Sequence, residues 1–262
     1  MLPAGNSKLD PLSDEYVRFA RAVCSNTKHE DYPVQRIGSG VVVAYEGEFY
    51  LITARHVFSN NHASPTDVVV PLGKTGVTWW PTNACMHLDA TQTFVDDNTF
   101  ADLAVYSMET SQDVRSSITE YDYLPFPSQL ELKPNQQLFA FGYPDLGSEL
   151  DIEGRKLVAT LTMVEGVYID KTSYTGLHVF ESEYLKEMNP NGMSGGPVTS
   201  MDHRRIGRHL LAGIIIQGGG SSGRFHFVDA KMLREALLFS IPRLRELREN
   251  GPFVNDQVPV GS

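Results

Sequence analysis

The stretch Asn189-Pro190-Asn191-Gly192-Met193-Ser194-Gly195-Gly196-Pro197-Val198 sets one serine among three glycines and closes with a proline ahead of an apolar run. Glycine permits backbone geometries and close approaches that a Cβ blocks, so Gly192, Gly195 and Gly196 can leave amide N–H groups bare around the Ser194 hydroxyl. Such donors suit an oxyanion. Asn, Pro and Gly are also the residues of tight turns, so this segment alone fits a catalytic loop or a plain connection between strands.

Outward from this loop, residues 129–229 carry short apolar runs at 137–142, 157–167, 177–181, 198–201, 209–217 and 224–229, broken by turn residues. Ahead of them lie similar runs at 37–45, 49–53, 67–72, 77–80 and 103–108, the first alternating Ile37, Ser39, Val41, Val43 and Tyr45. Many short strands with frequent turns favour barrels or sandwiches over a sheet alternating with helices. The polar, proline-containing segment 109–128 between the two sets reads as a linker, so the strands divide into a barrel over 36–108 and a second over 129–229.

Both ends read differently. Tyr16, Phe19, Ala20 and Val23 recur at helical spacing within a 1–35 extension, predicting a short helix outside the strand-rich body. Leu233, Leu237, Ile241 and Leu244 predict an amphipathic helix over 230–250 that Pro242 should kink or divide. The segment 251–262 reads as a tail, and 218–223 as a mobile glycine-serine loop.

Composition limits the partners. Among 262 residues, 22 basic against 32 acidic side chains give a formal charge of −10, which disfavours nucleic acid and anionic membrane. The one basic cluster, His203, Arg204, Arg205, Arg208 and His209, reads as a solvated hairpin end. Only Cys24 and Cys85 occur, too few for a disulfide scaffold. With no signal-peptide pattern and no membrane-length apolar run, a cytoplasmic location is expected. Cys85 and His87 lack a second pair at zinc spacing, so no metal and no cofactor is expected.

A serine hydroxyl needs a base to take its proton, and the base needs a third group to orient it. His56 directly follows the strand-like run 49–53, and Asp102 opens the apolar strand Leu103-Ala104-Val105. Asp96 and Asp97 compete for the acid's role but precede no such strand.

The segments Thr53-Ala54-Arg55-His56-Val57, Asp102-Leu103-Ala104-Val105 and Gly192-Met193-Ser194-Gly195-Gly196-Pro197 resemble, in order and spacing, the three active-site motifs of chymotrypsin-like (trypsin-like) serine proteases of clan PA. The resemblance spans roughly residues 36–229. It implies an all-β fold of two six-stranded antiparallel barrels, a nucleophile Ser194, a general base His56 and an orienting Asp102. It further implies an oxyanion hole from the backbone N–H groups of Gly192 and Ser194, and a protein or peptide as substrate. Scarcity of cysteine is closer to the disulfide-poor bacterial and HtrA-like members. Zymogen-activated members carry an aspartate before the serine, where this chain has Met193, so activation by N-terminal cleavage is not expected. A substrate strand would add beside Ile216, Gln217 and Gly218, with the specificity pocket among residues 187–191, 216–219 and 224–226, where Met188 and His226 stand.

Two other readings fit parts of the pattern. Gly192-Met193-Ser194-Gly195-Gly196 matches the Gly-x-Ser-x-Gly elbow of α/β-hydrolases, with Asp202 and His226 as partners, but an elbow needs a helix after its serine. A binding module of the same fold, latent until a regulatory protein orders the serine loop, is the second.

Overall fold

The computed structural model describes residues 20–30, 33–61, 65–72, 78–88, 102–120, 122–126, 130–145, 149–151, 156–201 and 209–250. Strands β1 (Arg21–Asn26), β2 (Val34–Tyr45), β3 (Glu48–Ala54), β4 (Val68–Leu72), β5 (Thr78–Leu88) and β6 (Leu103–Met108) run in the order β1-β4-β5-β6-β3-β2, and β2 pairs back onto β1. That closes a first antiparallel barrel. Short helices α1 (His56–Asn61) and α2 (Gln112–Ser117) follow β3 and β6, and the two-residue β7 (Leu124–Pro125) adds to β2 in parallel.

The second barrel is closed by β8 (Gln137–Gly142), β11 (Thr162–Lys171), β12 (Leu177–Glu181), β13 (Pro197–Met201), β14 (His209–Gly219) and β15 (Arg224–Asp229), with β9 (Glu149–Asp151) and β10 (Lys156–Val158) as a separate hairpin. Helix α3 (Ala230–Asn250) ends the described chain. The fold is therefore two six-stranded barrels with a C-terminal helix, as the sequence resemblance implies.

Strand alternation explains the division of the core, because successive side chains point to opposite faces. On β8, Leu138 and Ala140 fill the second barrel with Val198, Phe225 and Phe227. Phe139 and Phe141, on the other face, join the larger cluster that runs from the first barrel to Leu233, Leu237 and Leu244 of α3.

Three expectations are corrected. Residues 21–26 form a barrel strand rather than the end of a helix, so the first barrel begins well before residue 36. Tertiary pairing overrides the local spacing: buried Arg21 donates to buried Asp122 at 2.8 Å, a link no helical pattern reveals. The rest of the proposed N-terminal helix, and the tail from 251, lie outside the described residues. Helix α3 continues through Pro242 undivided, because Pro242 and the residue one turn earlier, Leu238, both face solvent, where water can satisfy the carbonyl that proline leaves without a donor. Finally, Gly218 and Gly219 belong to β14, paired with Phe225 and Arg224, and the remaining loop is a single tight turn.

Candidate active site

Strand register builds the first half of the site. Ala54 pairs with Leu103 at the ends of β3 and β6. The next step of that ladder sets Arg55 N–H donating to the Asp102 carbonyl at 3.1 Å. His56 N–H then donates to Asp102 Oδ1 at 3.2 Å, and the His56 ring bonds through Nδ1 to Asp102 Oδ2. A carboxylate only accepts, so the proton on this bond sits on Nδ1 and Nε2 is left as the acceptor nitrogen. Asp96, Asp97 and Asp202 lie outside the described residues.

The second half is the loop quoted at the outset. Gly192 (φ +89°) and Gly195 (φ +84°) adopt left-handed conformations that a Cβ disfavours. A Cβ on Gly192 would also sit 2.6 Å from both Arg36 Nη1 and the Tyr143 carbonyl. Met193 N–H donates to Pro190 O at 3.0 Å, Gly195 N–H to Ile215 O at 2.6 Å and Gly196 N–H to Met193 O at 2.9 Å. Among the described residues, the N–H groups of Gly192 and Ser194 meet no such acceptor. The amides of Met193, Gly195 and Gly196 are thus spent on holding the loop.

What holds this loop comes largely from the first barrel. Ser39 of β2, fully buried, donates its N–H to Ser194 O at 3.1 Å and its hydroxyl to Gly192 O at 2.7 Å. Its Oγ accepts Tyr143 N–H at 2.8 Å, and its carbonyl accepts Thr53 Oγ1–H at 2.7 Å. Arg36, on the same strand, donates to the Tyr143 carbonyl and to Asp145 Oδ1 (2.6 Å), while Asp145 N–H donates to Asn191 O at 2.8 Å. Met193 inserts into the second barrel's core with no exposed surface. An apolar anchor therefore stands where zymogen-activated members carry an aspartate.

His56 and Ser194 line one cleft of about 290 Å³ with Arg36, Ile37, Val57, Asp145, Asn191 and Gly192. The sequence-predicted pocket residues lie outside this cleft. Ile216 is buried, Gln217 and Gly218 are exposed on β14, and Met188 is half-buried against the second core. His226 is half-buried opposite Gln217, and burial, then the Arg224 charge, lowers its pKa. None of these five lines the cleft. Arg36, Ser39 and Asp145, which sequence reasoning missed, carried no local signal: the Arg36 and Ser39 bonds reach across 107 and 153 positions.

Residues 38–207, more than half of the chain, match the trypsin-like peptidase domain model. The chain belongs to the trypsin-like peptidase family. This trypsin-like domain also matches the solved structure of human heparin binding protein, with a TM-score of 0.60, 14% identity, and coverage of 89% of this chain and 95% of that one. An atomic-resolution structure of HBP matches with a TM-score of 0.60 at 13% identity, again over 89% and 95%. No curated protein matches the sequence. At such identities the structural likeness speaks for the fold alone. A helix-bearing elbow is excluded, since strand β13 follows Ser194 in this peptidase fold.

Cys24 and Cys85 are both buried and form no disulfide, and burial pushes the Cys24 thiol up to about 12. No three His, Cys, Asp or Glu side chains among the described residues gather to hold a metal, and no described helix is long and apolar enough to cross a membrane. Of the basic cluster only His209 is described. It bonds through Nδ1 to Thr199 Oγ1 at 2.8 Å and lies edge-on to Phe139, a packing role.

Proposed function

We propose that this trypsin-like domain is a serine endopeptidase working through an acyl-enzyme. The observation that carries the reading is the His56–Asp102 bond at the rim of a cleft that Ser194 shares, with the Gly192 and Ser194 amides left without protein acceptors. In the first step Ser194 Oγ attacks the scissile carbonyl carbon while His56 Nε2 takes the hydroxyl proton. Asp102 keeps Nδ1 protonated and stabilises the imidazolium. The two free amides receive the carbonyl oxygen as it gains charge, a contribution of about 3 kcal/mol per donor in such sites. The imidazolium then gives its proton to the departing amine, leaving an ester on Ser194, and water reverses the sequence to release the acid.

Labelling by a fluorophosphonate probe tests this. Wild type is expected to label on Ser194 and Ser194→Ala not at all; equal labelling of both, or none of the wild type, overturns it. A structural neighbour named for heparin binding raises a binding role as second reading. A chain of net charge −10 is a poor match for a polyanion, so a binding role here would call for a partner of other chemistry.

A further inference from the structure

Resting on the reading of Ser194 as nucleophile, the side-chain slot next to it carries an inference about substrate class. On one side β14 pairs with β13 only as far as Ile214, opposite Pro197. Ile215 is then taken by the serine loop, through Gly195 N–H and Gly196 O. Beyond it, residues 217–219 pair with β15 on one side only. Among the described residues no strand pairs with their other edge, which begins beside Ser194. An extended peptide added to that edge brings a carbonyl to Ser194.

The side chain of the residue bearing that carbonyl descends between the serine loop and the edge strand. That space is narrow and occupied. The Pro190 Cβ lies 3.7 Å from where a Cβ on Gly218 would stand. The ring of Phe225 sits directly against Gly218, so closely that even a methyl group there would clash. Phe225 is not a movable lid. It is 1% exposed and packs in the second barrel's core with Met193, Val198 and Phe227. It also stacks on Phe180 with ring centroids 6.0 Å apart and planes at 18°. Displacing it for a bulky substrate group would vacate a packed core position, which close-packed interiors resist.

We propose that Phe225 plugs this slot, so that the peptidase cleaves after small residues (glycine, alanine or serine). Selection then shifts to the leaving-group side, where Arg36, Ile37, Val57, Asp145 and Asn191 line the open cleft.

The test is a set of peptides varied only at the residue before the scissile bond, assayed in parallel with fluorophosphonate labelling. Alanine is expected to exceed phenylalanine, leucine and arginine by at least about 100-fold in kcat/KM, the scale at which a pocket rejects groups it cannot accommodate. Phe225→Ala is expected to raise the phenylalanine-to-alanine ratio at least about 10-fold. Phe225→Leu, which keeps most of the core volume, should move the ratio the same way by less. If Phe225→Ala fails to fold, the wild-type profile and Phe225→Leu decide. Wild type that labels but cleaves equally well after large residues overturns the plug alone. Wild type that neither labels nor cleaves overturns the nucleophile reading beneath it.

Discussion

The two halves of the candidate site are held in unlike ways. His56 and Asp102 sit at the ends of adjacent strands in one barrel, and their contact follows from the β3–β6 register. Ser194 sits on a loop of the other barrel, yet its position is set by Ser39 and Arg36 reaching across the interface. His56 and Asp102 therefore come together within their own barrel, whereas the Gly192 and Ser194 amides depend on how the barrels dock. The proposed chemistry is as much a property of the interface as of either barrel.

Substitutions can separate the two arrangements. The largest loss is expected from Asp102→Asn, which removes the acceptor for Nδ1–H and favours the wrong tautomer; kcat should fall about 10⁴-fold in steady-state assays, with the serine loop undisturbed. Gly192→Ala strikes the other half. A left-handed φ and the clash with Arg36 and the Tyr143 carbonyl should shift the amide, lowering kcat and the rate of fluorophosphonate labelling on the order of 10²-fold.

A finer probe is Arg36→Ala. Loss of the strap to Tyr143 and Asp145 should lower kcat roughly 10-fold, a misplacement effect, with KM nearly unchanged. Lysine should not rescue it, since one ammonium does not reproduce the planar fork. A parallel fall in kcat for Asp102→Asn and for the variant carrying both Asp102→Asn and Arg36→Ala would locate both effects in one step; an increase in KM alone for Arg36→Ala would reduce Arg36 to a substrate contact.

The smallest expected effect concerns the strap between α3 and the first barrel. Arg245 and Arg248 reach Glu48 at 2.7 Å each. Burial pushes the Glu48 pKa up, but the bonds from Tyr50, Arg245 and Arg248 outweigh it and leave it below its ordinary 4.5. The stabilisation is thus present above 4.5 and lost as pH falls through the lower folded value. Thermal melts across that range should show a downward step in Tm that Glu48→Gln lacks.

Much of this was legible in the residues. The runs at 103–108, 137–142, 177–181 and 224–229 are strands with those bounds, because each is a short run rich in apolar, β-branched or aromatic residues. The second half of β5 was not legible. Pro81 ends the strand in the local pattern, but it stands where β5 leaves β4 and takes β6 as neighbour, with a register shift between Thr82 and Ala84. His56, Asp102 and Ser194 announced themselves through their flanking motifs. Arg36 and Ser39 did not, since each reads as an ordinary strand residue until the second barrel is docked. Phe225 was hidden for a different reason: its alternation marks it as core, and only the geometry of Gly218 shows which part of the core it fills.

Helix α3 also fixes an order of events. It packs on β5 and β6 as well as on β14 and β15, and its leucines complete the first barrel's cluster. Yet it begins 122 positions after β6 ends. At about 5–20 residues per second of synthesis, the first barrel leaves the ribosome with that apolar flank bare for on the order of 10 s. Translation of the whole second barrel must finish before the first is sealed.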